Sequence, residues 1–199
     1  MGMPAPRTAT AELAPGEQRL TLHGVTWEQY ETLRATLDHI PGLRMTYLEG
    51  VLEIISPSLD HEGIKTSLAR LLEIYALERD VPLNGYGSTT FRKRAKERGL
   101  EPDECYCVGP IKEVPDIAIE VVLSSGGIDK LEVYRGLDVP EVWFWEEGRL
   151  AVFQLGIDGY QAARRSRFLP DLDLEQLLAF VQPDDQTGAV RAYRDALRA

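Results

Sequence analysis

The chain has 199 residues, 22 Lys and Arg against 32 Asp and Glu, a net charge of -10 and 44% hydrophobic residues. That is enough for one domain with a sizeable core, and it is too apolar for a disordered low-complexity body. No run approaches the ~18 apolar residues of a membrane span, the first residues hold no apolar segment of a secretory signal, and two cysteines cannot build a disulfide framework, so a cytoplasmic setting is expected. A passive nucleic-acid binder usually carries a basic surplus. In this acidic chain any such contact has to come from local basic patches, or be brief and metal-assisted.

Residues 1–18, rich in Ala, Pro and Thr, read as a loose tail, 19–182 as the folded domain, and 183–199 as a charged C-terminal helix. Arg19–Val25 reads as a short strand. Thr26 reads as the N-cap of a helix that carries Trp27, Tyr30, Leu33 and Leu37 on one stripe, which either packs on the core or forms a dimer contact. Pro41-Gly42 ends it. Arg44–Leu48 and Val51–Ile55 flank Glu49-Gly50 as a hairpin. Ile64, Leu68, Leu71, Leu72 and Tyr75 then recur at helical spacing over about residues 60–79. Strands are predicted at Asp103–Val108 and Asp116–Leu123, followed by a loop over Ser124–Ile128 and a short helix to about Gly136. A second hairpin, Val142–Trp145 with Arg149–Leu155, turns at Glu147-Gly148. A strand at Gly159–Ala163 and a helix at Leu174–Val181 complete a mixed α/β domain with a central sheet.

The chemistry concentrates in Pro115–Val121. Alternation puts Ile117, Ile119 and Val121 on one strand face and Asp116, Ala118 and Glu120 on the other. An acid buried in an apolar strand needs a partner, and a divalent metal such as magnesium is a suitable one. Asp116 follows a proline and reads as a solvated strand start. Glu120, deeper in the run, reads as functional. Upstream, Asp103 opens another strand and shares a face with Cys105 and Cys107. Two carboxylates from adjacent strands can converge on one metal ion, an arrangement that phosphodiester hydrolysis can use. Asp129 and Glu132 have the spacing of a capping box, which puts Lys130 in a first helical turn, where a cation opposes the helix dipole. It reads equally as a phosphate-holding lysine and as a solvated surface lysine.

The segments GVLEIISPSLDHEGIK, GSTTFRKR, GLEPDECYCV, VPDIAIEVVLSSGGIDKLEVY and DVPEVWFWEEGRLAVFQL, which occur in that order within residues 20–182, resemble the Uma-type family of restriction-endonuclease-like proteins, part of the PD-(D/E)xK nuclease superfamily. The resemblance implies an α/β fold with a restriction-endonuclease-like core, a mixed central β-sheet flanked by α-helices. It implies a metal-dependent nuclease acting on DNA, with Mg²⁺ or Mn²⁺ held by Asp103 and Glu120. The superfamily lysine two residues after the acid is absent, since Val122 stands there, and members of this family supply it from the next helix, here Lys130. A further acid on the first core helix maps to Glu62, beside His61. Restriction-like nucleases are often dimers, so a homodimer is expected. The competing reading is a catalytically silent module that binds nucleic acid or a protein partner.

Other features weigh less. Arg92, Lys93, Arg94, Lys96 and Arg98 form a basic cluster before Asp103 that reads as a hairpin contacting phosphates, against a solvated loop. Arg164, Arg165 and Arg167 read as solvated. Cys105 and Cys107 lack the second pair of a zinc site and read as buried thiols. Trp143 and Trp145 alternate with Phe144, which argues for a strand covered on both faces, with base stacking the weaker alternative. Gly126-Gly127 precedes a helix without a nucleotide-binding glycine motif.

Overall fold

Two Glu-Gly pairs turn the chain back on itself. Glu49 (φ 45°) with Gly50 (φ 88°), and Glu147 (φ 49°) with Gly148 (φ 77°), all take left-handed backbone, the requirement of a tight two-residue hairpin turn. The first joins β2 (Arg44–Leu48) to β3 (Val51–Ser56), the second joins β9 (Glu141–Glu146) to β10 (Arg149–Gly156). These positions come from a computed structural model that describes residues 16–87, 89–124 and 127–199; most of the expected N-terminal tail, and Gly126 of the glycine pair, lie outside the described residues.

The strands form two sheets rather than the single central sheet expected from sequence. In the first, β1 (Gln18–His23), β3, β2, β6 (Arg98–Leu100) and β5 (Phe91–Lys93) lie side by side, all antiparallel. In the second the order is β11 (Gly159–Ala163), β10, β9, β8 (Ile117–Val122), β7 (Glu104–Val108) and β4 (Leu83–Gly85). Within it only β8 and β9 run parallel. The connection between them is α3 (Lys130–Leu137), the crossover helix that a parallel pair requires. The split arises because the short β5–β6 pair joins β2, through Tyr47 opposite Gly99, and not its sequence neighbour β7.

Helix α1 (Trp27–Leu37) is capped reciprocally by Thr26 and Gln29. It packs Trp27 and Tyr30 against Met45, Tyr47 and Leu52 on one face of the first sheet, so the Trp27 stripe serves the protein's own core. Helix α2 (Leu59–Glu78), capped by Ser58, packs Leu68, Leu71, Leu72 and Tyr75 against Ile117, Ile119, Val121 and Trp143 of the second sheet. Each fully buried leucine contributes about 1.5–3 kcal/mol. Tyr193 and Leu197 of α5 (Gln186–Arg198) and Leu177 of α4 (Leu174–Ala179) enter the same core, so the charged C-terminal helix presents an apolar face to the main body. Helix α3 covers the other sheet face, with Val133, Tyr134 and Leu137 against Ala118 and Val142. Strand β9 is thus covered on both sides, Trp143 toward α2 and Phe144 toward α3. Among the described residues no helix is long and apolar enough to cross a membrane.

Candidate active site

Strand β8 carries Glu120 on the α3 side, and the side chain is fully buried. Its Oε2 accepts a hydrogen bond from Lys130 Nζ at 2.5 Å, and its Oε1 accepts one from the Tyr134 hydroxyl. Lys130 and Tyr134 are four residues apart, one turn along the same face of α3. Asp129 fixes where that helix begins by accepting from the backbone N–H groups of Leu131 and Glu132. The expected reciprocal half of the capping box is absent, because the Glu132 carboxylate turns to Arg135.

Burial raises the Glu120 carboxyl above its ordinary range, the Lys130 charge opposes this, and the Asp103 charge adds to it. Burial alone would lower Lys130, but the charges of Glu120 and Asp103 hold it above its usual value, so it remains an ammonium. Tyr134 is raised well above its usual value by burial and by the adjacent Glu120, and it stays a proton donor.

Asp103, immediately before β7, is 2% exposed. Its Oδ2 accepts from the backbone N–H of Val121 at 2.7 Å and lies 3.2 Å from His61 Nε2, while Oδ1 lies 3.5 Å from Arg44. Burial pushes this carboxyl up, but the His61 hydrogen bond and the charges of Lys130, His61 and Arg44 outweigh it, so it is held below the ordinary range. Burial pulls His61 down, and the bond to Asp103 and its charge overcome that and hold His61 above its usual value. His61 Nε2 also sits 3.1 Å from the Val121 carbonyl, which places the proton on that nitrogen. Asp103 and Glu120 therefore flank one peptide unit, the amide between Glu120 and Val121.

Three of the four residues expected from sequence, Asp103, Glu120 and Lys130, come together in this network. Glu62 does not join it directly. Its carboxylate bonds Arg44 at 3.1 Å and contacts Lys65, and it lies 3.7 Å from His61 Nδ1, so it reaches Asp103 only through Arg44 and His61. Asp116, expected to be solvated, is instead 4% exposed and accepts from the Val108 N–H at 2.8 Å and from Lys112 at 2.6 Å. It holds the 109–115 loop closed because a buried acid needs donors.

The network opens on a cavity of about 530 Å³. Arg44, Thr46, Glu53 and Ile55 of the first sheet face it from one side, and Phe144, Arg149, Ala151 and Phe153 of the second sheet from the other. Lys130, with a fifth of its side chain exposed, stands between the enclosed Glu120 and this space. Glu53 is a residue that the sequence reading passed over. It is 1% exposed, lies 3.6 Å from Arg19, and accepts from the Ile128 N–H at 3.4 Å. Gly127, with φ 99°, lies so close that a Cβ there would fall on the Glu53 carboxylate. An acid inside the apolar run of β3 was a readable signal, the same one that singles out Glu120.

The oxygen donors suit a hard divalent cation in kind: two carboxylates and the Val121 carbonyl. The cavity wall is also acidic, with seven carboxylate side chains against four Lys and Arg among the described residues. No group of three or more His, Cys, Asp or Glu side chains among the described residues is arranged to hold a metal. The protein thus offers two carboxylates, and further ligands have to be main-chain, water or substrate oxygens.

The basic cluster is mostly engaged elsewhere. Arg92 pairs with Glu31 at 3.0 Å, Lys93 with Asp138 at 2.5 Å and Arg98 with Glu49 at 2.8 Å. The side chain of Arg94 lies outside the described residues, and the other four do not line the cavity. Cys105 and Cys107 are buried free thiols, and burial pushes Cys105 up to about 12, so it is not a reactive thiolate.

No curated protein matches the chain. The Uma2 family model, described as a putative restriction endonuclease, matches residues 27–184, which include Arg44, His61, Asp103, Glu120, Lys130 and Tyr134. With that match over most of its length, and with a mixed α/β fold consistent with a restriction-endonuclease-like core, the chain belongs to the Uma2 family and has a nuclease-like function.

Proposed function

We propose that the protein is a metal-dependent nuclease that hydrolyses phosphodiester bonds of DNA. The observation that carries this reading is the convergence of Asp103, Glu120 and Lys130 in one buried network, with the lysine as its face toward the cavity. The site lies where β8 leads into the α3 crossover, the end of a parallel strand at which α/β proteins bind ligands.

Asp103 and Glu120 would hold Mg²⁺ or Mn²⁺, which when bound supplies Lewis-acid stabilisation of the phosphoryl oxygens. Lys130 stays charged and is placed to donate to a phosphate oxygen and to orient the attacking water in the cavity. Tyr134 keeps the Glu120 carboxylate fixed. His61, Arg44 and the Val121 N–H do the same for Asp103. Restricting these groups in advance lowers the reorganisation needed when charge develops on the phosphate.

The silent-module reading has one observation in its favour: both Glu120 oxygens are satisfied by protein donors, so the network holds without an ion. Cleavage of labelled DNA with Mg²⁺ or Mn²⁺ by the wild type and by Asp103→Asn separates the two. The nuclease reading expects metal-dependent cleavage by the wild type and loss of about 10²-fold or more in the variant. Absence of cleavage on single-stranded and duplex DNA alike would favour the silent module.

A further inference from the structure

We propose that the cavity beside Lys130 is a subsite for one unstacked nucleobase, so that the preferred substrate is single-stranded DNA or an unpaired strand end and not continuous duplex. This deepens the nuclease reading and rests on it.

The floor of the cavity is aromatic. Phe144 pairs with Glu120 across the parallel β8–β9 register and with Ala151 on the other side. Arg149, Ala151 and Phe153 alternate along β10 and share that sheet face. Phe144 and Phe153 meet edge to face, with centroids 5.8 Å apart and planes at 80°. Phe144 also packs into the α3 core, but Phe153 enters none of the three buried cores. It is a large, half-buried ring on a cavity wall, one strand further from Glu120 than Phe144, and the core does not require it. Ala151, directly across from Phe144 and two residues before Phe153 on the same face, is the small residue beside the two rings, so their exposed faces are not covered from that side.

Size and charge point the same way. A volume of about 530 Å³ is that of a small-molecule site. It has room for one base taken out of its stack together with its sugar and phosphate, as enzymes acting on flipped or single-stranded nucleotides require. A duplex carries about one negative charge per 1.7 Å and rewards a broad basic track. Here the cavity wall is acidic and the Arg92–Arg98 cluster is largely paired with acids away from the cavity. A neutral base with a π-face meets no such repulsion, and aromatic stacking tolerates any base. At the cavity edge the Arg149 side chain makes no hydrogen bond or ion pair among the described residues, leaving its planar guanidinium for the outer face of a base or the next phosphate.

The test uses the full chain with three substrates of one sequence: a labelled single strand, a blunt duplex and a duplex with an unpaired bubble. Each carries 2-aminopurine, whose fluorescence rises when the base leaves its stacked neighbours and reports binding in EDTA, without cleavage. Phe153→Leu keeps bulk and removes the π-face, and Phe153→Trp restores it. The expected results are cleavage of the single strand and bubble at least about tenfold faster than the duplex, a loss of about tenfold or more in kcat/KM for Phe153→Leu, carried by KM, and near-wild-type values for Phe153→Trp. The fluorescence rise in EDTA follows the same order across the protein variants. Equal cleavage of duplex and single strand, or Phe153→Leu matching the wild type with its fold intact by circular dichroism, overturns the subsite and leaves the nuclease reading standing. If nothing is cleaved the nuclease reading fails, and the EDTA fluorescence decides the subsite alone: a rise that Phe153→Leu abolishes upholds it, and its absence overturns it.

Discussion

Lys130 Nζ lies 2.5 Å from Glu120 Oε2, although the two residues belong to different elements joined by a loop. The pair is asymmetric: Glu120 has no exposure, and a fifth of the lysine side chain reaches the cavity. Removing the lysine therefore leaves a buried carboxylate with one donor and no counter-charge. Lys130→Met is expected to cost about 3–5 kcal/mol of stability, as breaking one side of a buried pair does, and about 10²-fold or more in cleavage. Lys130→Met combined with Glu120→Gln should recover much of the stability and none of the activity. Urea denaturation and cleavage rates of the single and double variants check this.

Tyr134→Phe deletes one donor to Glu120 and little volume. The lost bond favoured the ionised carboxylate, so Glu120 should hold its proton to higher pH. The acid limb of the pH–rate profile is expected to move to higher pH, while the rate well above it stays within a few-fold of wild type. The stability cost should be about 1–3 kcal/mol, since the carboxylate oxygen is left buried without its partner. A profile that keeps its acid limb would remove Tyr134 from the account.

His61 and Asp103 together define a pH window for stability. His61 is held above its usual value, burial notwithstanding, by Asp103. Its contribution is fully present below the unfolded value of about 6.5 and is lost as pH rises through the folded value. Asp103 is held below its usual value. Its contribution is present above the unfolded value of about 3.9 and is lost as pH falls through the folded value. The stability lost in His61→Gln should therefore be largest at mildly acidic pH and shrink as pH rises past the folded value of His61. Denaturation at a series of pH values for both proteins measures the difference, and a constant difference would contradict the pairing.

Asp116 supplies the contrast. Asp116→Ala leaves the Val108 N–H without its acceptor and Lys112 without its partner, and should cost about 1–3 kcal/mol. Cleavage per folded molecule should be unchanged. A loss of activity comparable to that of Asp103→Asn would mean that the site extends further along β8 than described.

Much of this was legible in the residues because the signals were local. The Glu-Gly turns, the spacing of Ile64 to Tyr75 and the alternation around Glu120 each reflect the period of one element, and the observed helices and strands follow them closely. The ordered motifs further connected Asp103, Glu120 and Lys130. What escaped depends on pairings that the period of a single element does not show. Asp116 looked solvated because its donors, Val108 and Lys112, are set by the path of a loop. The basic cluster looked available because Glu31, Glu49 and Asp138, which engage three of its members, lie far away in sequence. The two-sheet arrangement rests on a two-residue pairing of β2 with β6 that carries no sequence mark. Tyr134 and Glu53 were readable in principle, the first as the residue one helical turn after Lys130, the second as an acid in an apolar strand.

The central claim is that Asp103 and Glu120 hold the ion that supports hydrolysis. The most direct measurement is calorimetric titration of Mn²⁺ into the wild type and Glu120→Ala, each with an uncleavable phosphorothioate oligonucleotide so that substrate oxygens can complete the coordination. The account predicts saturable binding by the wild type and its loss in the variant. Equal binding by the two proteins, or none by the wild type even with the oligonucleotide bound, would contradict it.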